Sequence, residues 1–418
     1  MKFPHCLSIN DLKCAFAGIA FSLLLASLLA AVITLPPMFQ PSSALADNQT
    51  PAQTDPLKNI DLLLESAISR GLIAGGVVLV GDHDRVLFER AYGRTCAGAN
   101  APLTRTDTIF DIASLTKVIA TAPAILKLAE EKRLSLVDPV TRWFPEFAGK
   151  GKDDLLVMNL LTHTSGLDDF PLEPRNPLQS AVERAAHQKL KGEIGIRFRY
   201  ADINFILLGE MVRRVSGIPL DRYASENFFV PMGMNDTTFT PGIDRIARCS
   251  TTIGPDNSPL TGIVQDPTAR QLGGVAGNSG VFSTAGDLGR FCRMILNEGK
   301  LEGRRIFAER AVQQMIAPYF SRGGKVIRGL GWDIESPFSA PKGNGFSEIS
   351  FGHTGYSGSS IWIDPAVDLF VIMLTSRLDY KNVREFRLLR GELSSLSAEI
   401  FKPSSAKREV EEYNGPER

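Results

Sequence analysis

Strand-forming segments lie near both ends of this chain and are scarce in the middle. Gly75–Val80 and Val86–Tyr92 are rich in Val and Leu, and Gly81–Asp84 between them is typical of a β-hairpin turn. Four further strand-like segments follow late in the chain, at 330–334, 348–352, 359–363 and 369–374. Segments this far apart can share one antiparallel sheet. The pattern predicts an α+β fold built from both ends of the chain, with one or two lobes and a helical region inserted at about 137–283.

Helical periodicity is clearest between these strands and at the end of the chain. Apolar residues at 118, 119, 122, 125, 126 and 129 predict a helix over 116–131. Pro123 should kink this helix or remove one hydrogen bond from it. Further helices are predicted at 57–70, 205–215, 288–298, 308–316 and 383–401.

The N-terminal segment has the features of an export signal. Lys2 and Lys13 lie before an apolar run that covers 14–36, and Ala44–Ala46 offers a small-residue cleavage site. We therefore expect 1–46 to direct the protein to the periplasm or the extracellular space. The apolar run is close to the roughly 20 residues that span a bilayer, so an uncleaved anchor in the inner membrane is the alternative.

The remaining segments divide into a linker, a folded domain and a tail. Residues 47–56 are polar and contain proline, which is typical of a linker. One folded domain is predicted over 57–401, and the charged tail at 402–418 is expected to be disordered.

Composition excludes several kinds of partner and site. The chain has 46 basic and 46 acidic residues and no basic-aromatic stripe, so we expect no nucleic-acid partner. It has no C-x-x-C or H-E-x-x-H motif and no clustered histidines, so neither a metal nor another cofactor is predicted.

Three cysteines follow the leader, and at least one of them must remain outside an intrachain disulfide. Cys96 and Cys249 are a candidate pair in an oxidising compartment, but the sequence leaves this open. Cys292 lies in an apolar helical pattern and is expected in the core.

The clearest chemical motif is Ser114-x-x-Lys117. Three residues are just under one helical turn, so both side chains project from the same face. A serine hydroxyl becomes a useful nucleophile only with a neighbouring base and donors for an oxyanion. A desolvated lysine has its charged form disfavoured and can accept the proton. Taken alone, Ser114 is better explained as a helix cap and Lys117 as an ordinary solvated lysine of the first turn.

Two later segments give this motif its context. Tyr200-x-Asp202 precedes an apolar helix, and His353-Thr354-Gly355 opens a segment with strand character. The segments at 160–167 and 273–284 are also similar to family sequences. With these motifs and segments, the chain resembles the penicillin-recognising serine hydrolases, in their class C β-lactamase and D,D-carboxypeptidase/esterase-like branch. The resemblance implies an antiparallel sheet flanked by helices, an inserted helical region and an active site in the cleft between them.

The resemblance also implies roles for individual residues. Ser114 would be the nucleophile, and Lys117 and Tyr200 would move its proton. The N–H groups of Ser114 and Tyr356 would form the oxyanion hole. Thr354 and Gly355, which precede Tyr356, would belong to a strand that flanks the substrate. His163, in a Thr-His-Thr-Ser-Gly turn, is expected to fix a loop through a hydrogen bond.

Two positions depart from the family pattern. Asp202 replaces an asparagine common among relatives, and its carboxylate accepts hydrogen bonds but cannot donate them when ionised. It can hold Lys117 charged, position Tyr200, or simply cap the following helix. His353 replaces a lysine, so a permanent cation for a substrate carboxylate is lost. This second departure weakens a β-lactamase assignment most.

We therefore predict an exported serine hydrolase that works through an acyl-enzyme. The expected substrate is a small molecule or a peptidoglycan-derived peptide of the D-Ala-D-Ala type, or a related amide or ester. A small-ester carboxylesterase and then a β-lactamase are the enzyme alternatives. A penicillin-binding sensor that hardly turns over is the non-enzyme alternative.

Overall fold

The computed structural model describes residues 55–323, 326–336 and 342–402. The predicted export signal at 1–46, the linker up to residue 54 and the tail from 403 onward lie outside the described residues. Within the described ranges, none of the helices combines the length and apolar character needed to cross a membrane.

An eight-stranded antiparallel sheet forms the centre of the described chain. The strands in chain order are β1 (Ile73–Gly81), β2 (Val86–Gly93), β3 (Phe110–Asp111), β4 (Thr251–Ile253), β5 (Pro259–Thr261), β6 (Phe282–Ser283), β7 (Lys300–Leu301), β8 (Arg304–Arg305), β9 (Phe320–Arg322), β10 (Val326–Arg328), β11 (Asp333–Glu335), β12 (Phe351–Thr354), β13 (Ser360–Asp364) and β14 (Leu369–Arg377). Their order in the main sheet is β2-β1-β14-β13-β12-β11-β10-β9. Because β1 pairs directly with β14, the two ends of the chain share one sheet, as the sequence predicts.

The described part of the chain contains eleven α-helices. They are α1 (Pro56–Ser69), α2 (Ala122–Glu130), α3 (Val157–Leu161), α4 (Pro177–His187), α5 (Asp202–Ser216), α6 (Leu220–Ala224), α7 (Ile243–Ile246), α8 (Pro267–Gln271), α9 (Ala285–Leu296), α10 (Glu309–Ile316) and α11 (Val383–Phe401). The α+β fold class expected from the sequence is confirmed.

Strand β1 shows why the sheet needs helices on both faces. All nine of its residues are buried, and successive side chains of a strand point to opposite faces. Val77 and Leu79 belong to the large core that includes α2 and α9. Val78 and Val80 belong to a second core that includes α1 and α11. A continuous apolar run is what such a doubly covered strand requires.

The helix predicted over 116–131 forms in two parts. Lys117–Thr121 is a wide five-residue turn in which the Ala122 N–H donates to the Lys117 carbonyl, and α2 follows it. Pro123 lies in the first turn of α2, directly after this wide turn, and supplies no N–H to the carbonyl groups of the turn before it. The irregularity expected at Pro123 therefore takes the form of the wide turn before it, which begins at Lys117.

Some boundaries differ from the sequence-based expectation. The strands predicted at 330–334 and 348–352 form three residues later, at β11 and β12. Strands β9 and β10 were not predicted, because three-residue segments that contain arginines lack an apolar run. No disulfide links Cys96 to Cys249 among the described residues, and Cys292 is buried in the core, as expected.

Candidate active site

Ser114 lies at the edge of a cleft of about 620 Å³. It follows β3 and sits in a short 3-10 turn at Ala113–Leu115 that leads into the helix. Tyr200, Asp202 and Tyr356 line the same cleft. The structure thus brings Ser114 together with the second motif, about 90 positions away along the chain. It also brings in Tyr356, which directly follows the third motif about 240 positions away.

Lys117 lies at the centre of a buried hydrogen-bond network. Its fully buried ammonium donates to Ser114 Oγ at 3.1 Å and to the Asn278 carbonyl at 2.9 Å. Its Nζ is 2.7 Å from Asp202 Oδ1, and it also hydrogen-bonds to Tyr200. The Lys117 nitrogen therefore lies near four oxygen atoms, one more than the number of N–H groups it can donate.

The expectation that burial leaves Lys117 as a resting proton acceptor is wrong. Burial does lower the pKa of the Lys117 ammonium, but the adjacent Asp202 carboxylate raises it, and the net result is a raised pKa. Lys117 is consequently an ammonium at neutral pH. Of the three uses foreseen for Asp202, the structure shows the one that holds Lys117 charged. The N-cap of α5 is Ala201, and Asp202 follows in the first turn.

Tyr200 connects this ammonium to the serine. Its hydroxyl hydrogen-bonds to both Ser114 and Lys117. Burial raises the pKa of Tyr200, and the Lys117 charge opposes that rise. The Tyr200 phenol is therefore protonated at neutral pH in the resting site, where it is hydrogen-bonded to the Ser114 hydroxyl.

His163 holds the segment that carries Tyr200. The two rings stack with centroids 4.4 Å apart, and His163 Nδ1 accepts the Ala201 N–H at 3.3 Å and the Asn204 amide at 3.2 Å. Burial keeps the pKa of His163 well below its ordinary value, so the ring is neutral and can accept. This is the loop-fixing hydrogen bond that the sequence predicts.

Gly355 allows a close approach between β12 and the serine turn. A Cβ built there would lie 2.1 Å from Ser359 Oγ and 2.5 Å from the Ile112 carbonyl oxygen, so no side chain fits. Thr354 ends β12 immediately before it, and Tyr356 follows with its ring exposed at the cleft. Within the described residues, the N–H groups of Ser114 and Tyr356 have no hydrogen-bond acceptor.

His353 does not line the cleft, contrary to its predicted place beside a substrate carboxylate. Its ring is 5% exposed, lies 6.1 Å from the Tyr200 ring between centroids, and has Nδ1 2.9 Å from the Thr354 carbonyl. Burial holds the pKa of His353 well below its ordinary value. A neutral ring whose Nδ1–H is used by the backbone supplies no charge to the substrate.

Two groups that shape the site had no clear signal in the sequence. The Asn278 carbonyl that accepts from Lys117 is a backbone atom in the glycine-rich 273–280 segment, so the residue type at this position gives no signal. Arg390 of α11 is buried and donates from Nη2 to the carbonyls of Gly355 at 2.8 Å and Ser359 at 2.9 Å. Burial lowers the pKa of Arg390 to about 9, so it stays charged at neutral pH.

More of the charged side chains that line the cleft are acidic than basic. Among its described lining residues the carboxylates belong to Asp202, Asp266 and Asp379, and the cation belongs to Lys381. Burial raises the pKa of Asp266. The described residues contain no group of three or more His, Cys, Asp or Glu side chains arranged to hold a metal ion.

Comparisons with known proteins agree with this arrangement. The family model described as Beta-lactamase matches residues 60–392. An Escherichia coli (strain K12) protein named "Putative D-alanyl-D-alanine carboxypeptidase" is 28% identical over 364 residues, covering 77% of this chain and 82% of that protein.

Solved structures show the same fold at low sequence identity. A class C β-lactamase superposes with a TM-score of 0.69 at 18% identity, covering 84% of this chain and 97% of the other. EstCE1, described as a hydrolase with promiscuous acyltransferase activity, superposes with a TM-score of 0.68 at 21% identity, covering 81% and 98%. With the family model matching most of the chain, and the serine, lysine and tyrosine gathered at one cleft, this protein belongs to the β-lactamase family and is a serine hydrolase of the β-lactamase/D,D-peptidase type.

Proposed function

We propose that the protein hydrolyses short peptides of the D-Ala-D-Ala type, or closely related amides and esters, through an acyl-enzyme on Ser114. The observation that carries the proposal is the contact of Ser114 Oγ with Lys117 and Tyr200 at the wall of an open cleft. Relatives named as D-alanyl-D-alanine carboxypeptidases support the choice of substrate class.

The proposed reaction begins with the substrate carbonyl oxygen at the N–H groups of Ser114 and Tyr356. Ser114 Oγ attacks the carbonyl carbon, and its proton passes to the Tyr200 oxygen as the phenol gives its own proton to the leaving group, so that Tyr200 stays neutral. Because Lys117 is an ammonium that contacts both Ser114 and Tyr200, it does not take the proton itself and instead orients the two oxygen atoms for this relay. The leaving group then departs, and a water molecule attacks the acyl-enzyme; its proton passes to Tyr200 as the phenol returns a proton to Ser114 Oγ, and the acid is released.

A small neutral ester is the second candidate substrate, and the cleft electrostatics favour it. The cation that matches a substrate carboxylate in relatives is replaced here by a neutral, buried His353. Lys381 at the cleft supplies a positive charge, but Asp379 lines the same wall. Selection for an anionic substrate should therefore be weak.

A substrate panel tests these candidates against each other. It contains a blocked peptide ending in D-Ala-D-Ala, the same peptide as its C-terminal amide, p-nitrophenyl butyrate and a cephalosporin. We expect release of D-Ala from the free-acid peptide. Amidation should change kcat/KM by less than about tenfold, because roughly 1.4 kcal/mol of carboxylate binding is not available from this cleft.

The other outcomes assign the alternatives. Turnover of the ester without release of D-Ala supports a carboxylesterase, and fast cephalosporin hydrolysis supports a β-lactamase. Stable acylation by a penicillin without turnover of any member of the panel supports a sensor and contradicts the proposed hydrolase.

A further inference from the structure

Ala113, directly before Ser114, adopts a backbone conformation that needs support. Its φ is +47°, in the left-handed region that residues with a Cβ rarely adopt. Such a conformation persists only where the surrounding structure holds it. The orientation of the Ser114 N–H and Oγ depends on this turn, because Ala113 and Ser114 share a peptide bond.

The side chain of Asp111 supplies the support. Its carboxylate is buried, and Oδ1 accepts the Ala113 N–H at 2.8 Å. Its other oxygen, Oδ2, accepts the N–H of Gln265 at 2.7 Å. Gln265 lines the cleft, so one carboxylate ties the serine turn to a second segment that lines the cleft.

The backbone beside Asp111 is tied to the segment that carries Tyr356. Ser357 Oγ donates to the Asp111 carbonyl at 2.6 Å, and Ser359 Oγ donates to the Ile112 carbonyl at 2.9 Å. The residues that set the Ser114 turn therefore also set the distance to the second candidate oxyanion donor, the Tyr356 N–H.

We propose that Asp111 is a positioning residue for the acyl-transfer site, whose ionised carboxylate holds the Ala113 turn so that the N–H groups of Ser114 and Tyr356 converge on one oxyanion. The inference rests on the proposed function, because it assigns a task only if Ser114 is acylated. Asp111 lies behind the serine turn and is not among the residues that line the cleft.

The two-acceptor arrangement makes the site sensitive to acid. A protonated carboxyl group has a hydroxyl that competes with one of the two N–H donors for the available acceptor atoms. Burial raises the pKa of Asp111 to about 6, against the lowering effect of the Gln265 and Ala113 N–H groups. Of the charged neighbours, Asp266 raises this pKa and Arg270 lowers it.

Two neutral titratable groups also face this carboxylate. The Asp111 charge contributes to the raised pKa values of the Tyr380 phenol and the Cys249 thiol, which stay protonated across the acid range. The carboxylate is ionised above its raised pKa and protonated below it. Activity should therefore fall as pH decreases through about 6.

The test compares Asp111→Asn with Asp364→Asn across pH 5 to 8. Asp364 is the matched control, since it is also buried and accepts two backbone N–H groups, from Ser347 at 2.6 Å and Ala366 at 3.0 Å, in the turn after β13. With the best ester or peptide substrate, we expect Asp111→Asn to lower kcat by roughly 10- to 100-fold with KM changed less than about threefold, since misaligned oxyanion donors act in the transition state. The remaining activity of Asp111→Asn should no longer fall as the pH decreases through about 6. Asp364→Asn should keep both the wild-type kcat and this fall in activity, the acid limb of the pH profile.

Several results would overturn the inference. One is an Asp111→Asn enzyme with wild-type kcat and an unchanged acid limb; another is equal loss of kcat in both variants. If Asp111→Asn does not fold, the comparison is repeated in an Ala113→Gly background, which removes the backbone strain that Asp111 offsets. If the double variant also fails to fold, Asp111 is a folding residue only. A wild-type enzyme that is not acylated at Ser114 at any pH refutes the proposed function itself, which separates the two failures.

Discussion

Replacement of Ser114 by alanine is expected to lower kcat/KM by on the order of 10⁶-fold, the scale of loss when a serine hydrolase loses its nucleophile. Alanine has no Oγ, so no acyl-enzyme can form, while Lys117 keeps its contacts with Asp202 and the Asn278 carbonyl. The measurement is kcat/KM on the best substrate of the panel, with the melting temperature recorded for each protein.

Ser397→Ala is the matched control for this variant. Ser397 is buried in α11, and its hydroxyl donates to the Leu393 carbonyl rather than to any group in the cleft. It should retain wild-type kcat/KM. A Ser114→Ala enzyme that keeps activity within tenfold of wild type would show that another nucleophile is at work.

Removal of the Tyr200 hydroxyl should have the second largest effect. Tyr200→Phe is expected to lower kcat by about 10²–10⁴-fold, the range for a group that transfers a proton in the transition state. The phenyl ring can still stack on His163, so KM and the melting temperature should change little. What is lost is the oxygen that hydrogen-bonds to Ser114 and Lys117.

Tyr223→Phe controls for the loss of a buried tyrosine hydroxyl. The Tyr223 hydroxyl lies 3.5 Å from Glu131, and the residue packs in the core away from the cleft. Its kcat should be that of the wild type. If Tyr200→Phe instead lowers the melting temperature and leaves kcat unchanged, Tyr200 is a packing residue and the proton path must be sought elsewhere.

Local patterns account for what could be predicted from the sequence. Ser114 and Lys117 are three residues apart, so the geometry of one helical turn is enough to bring them together. The apolar runs of β1 and β14 predict buried strands, and burial on both faces explains why neither run alternates with polar residues. The motifs in family order then predict that Tyr200 and Tyr356 reach the same cleft.

Long-range contacts and burial account for what could not be predicted. The protonation of Lys117 depends on the Asp202 carboxylate, 85 positions away and 2.7 Å from Nζ, which outweighs desolvation. His353 is neutral because it is buried, and residue type alone does not reveal burial. Arg390 lies in a helix with several charged residues, and such a helix gives no sign that one arginine turns inward to two carbonyl groups.

The most direct test of the account is to trap and locate the covalent adduct. The wild-type protein is treated with a fluorophosphonate or a penicillin, digested, and mapped by mass spectrometry, with Ser114→Ala treated in parallel. We expect one adduct, on the peptide that contains Ser114, and none on the variant. An adduct on a different serine, or no adduct from either reagent on an enzyme that turns over substrate, would contradict it.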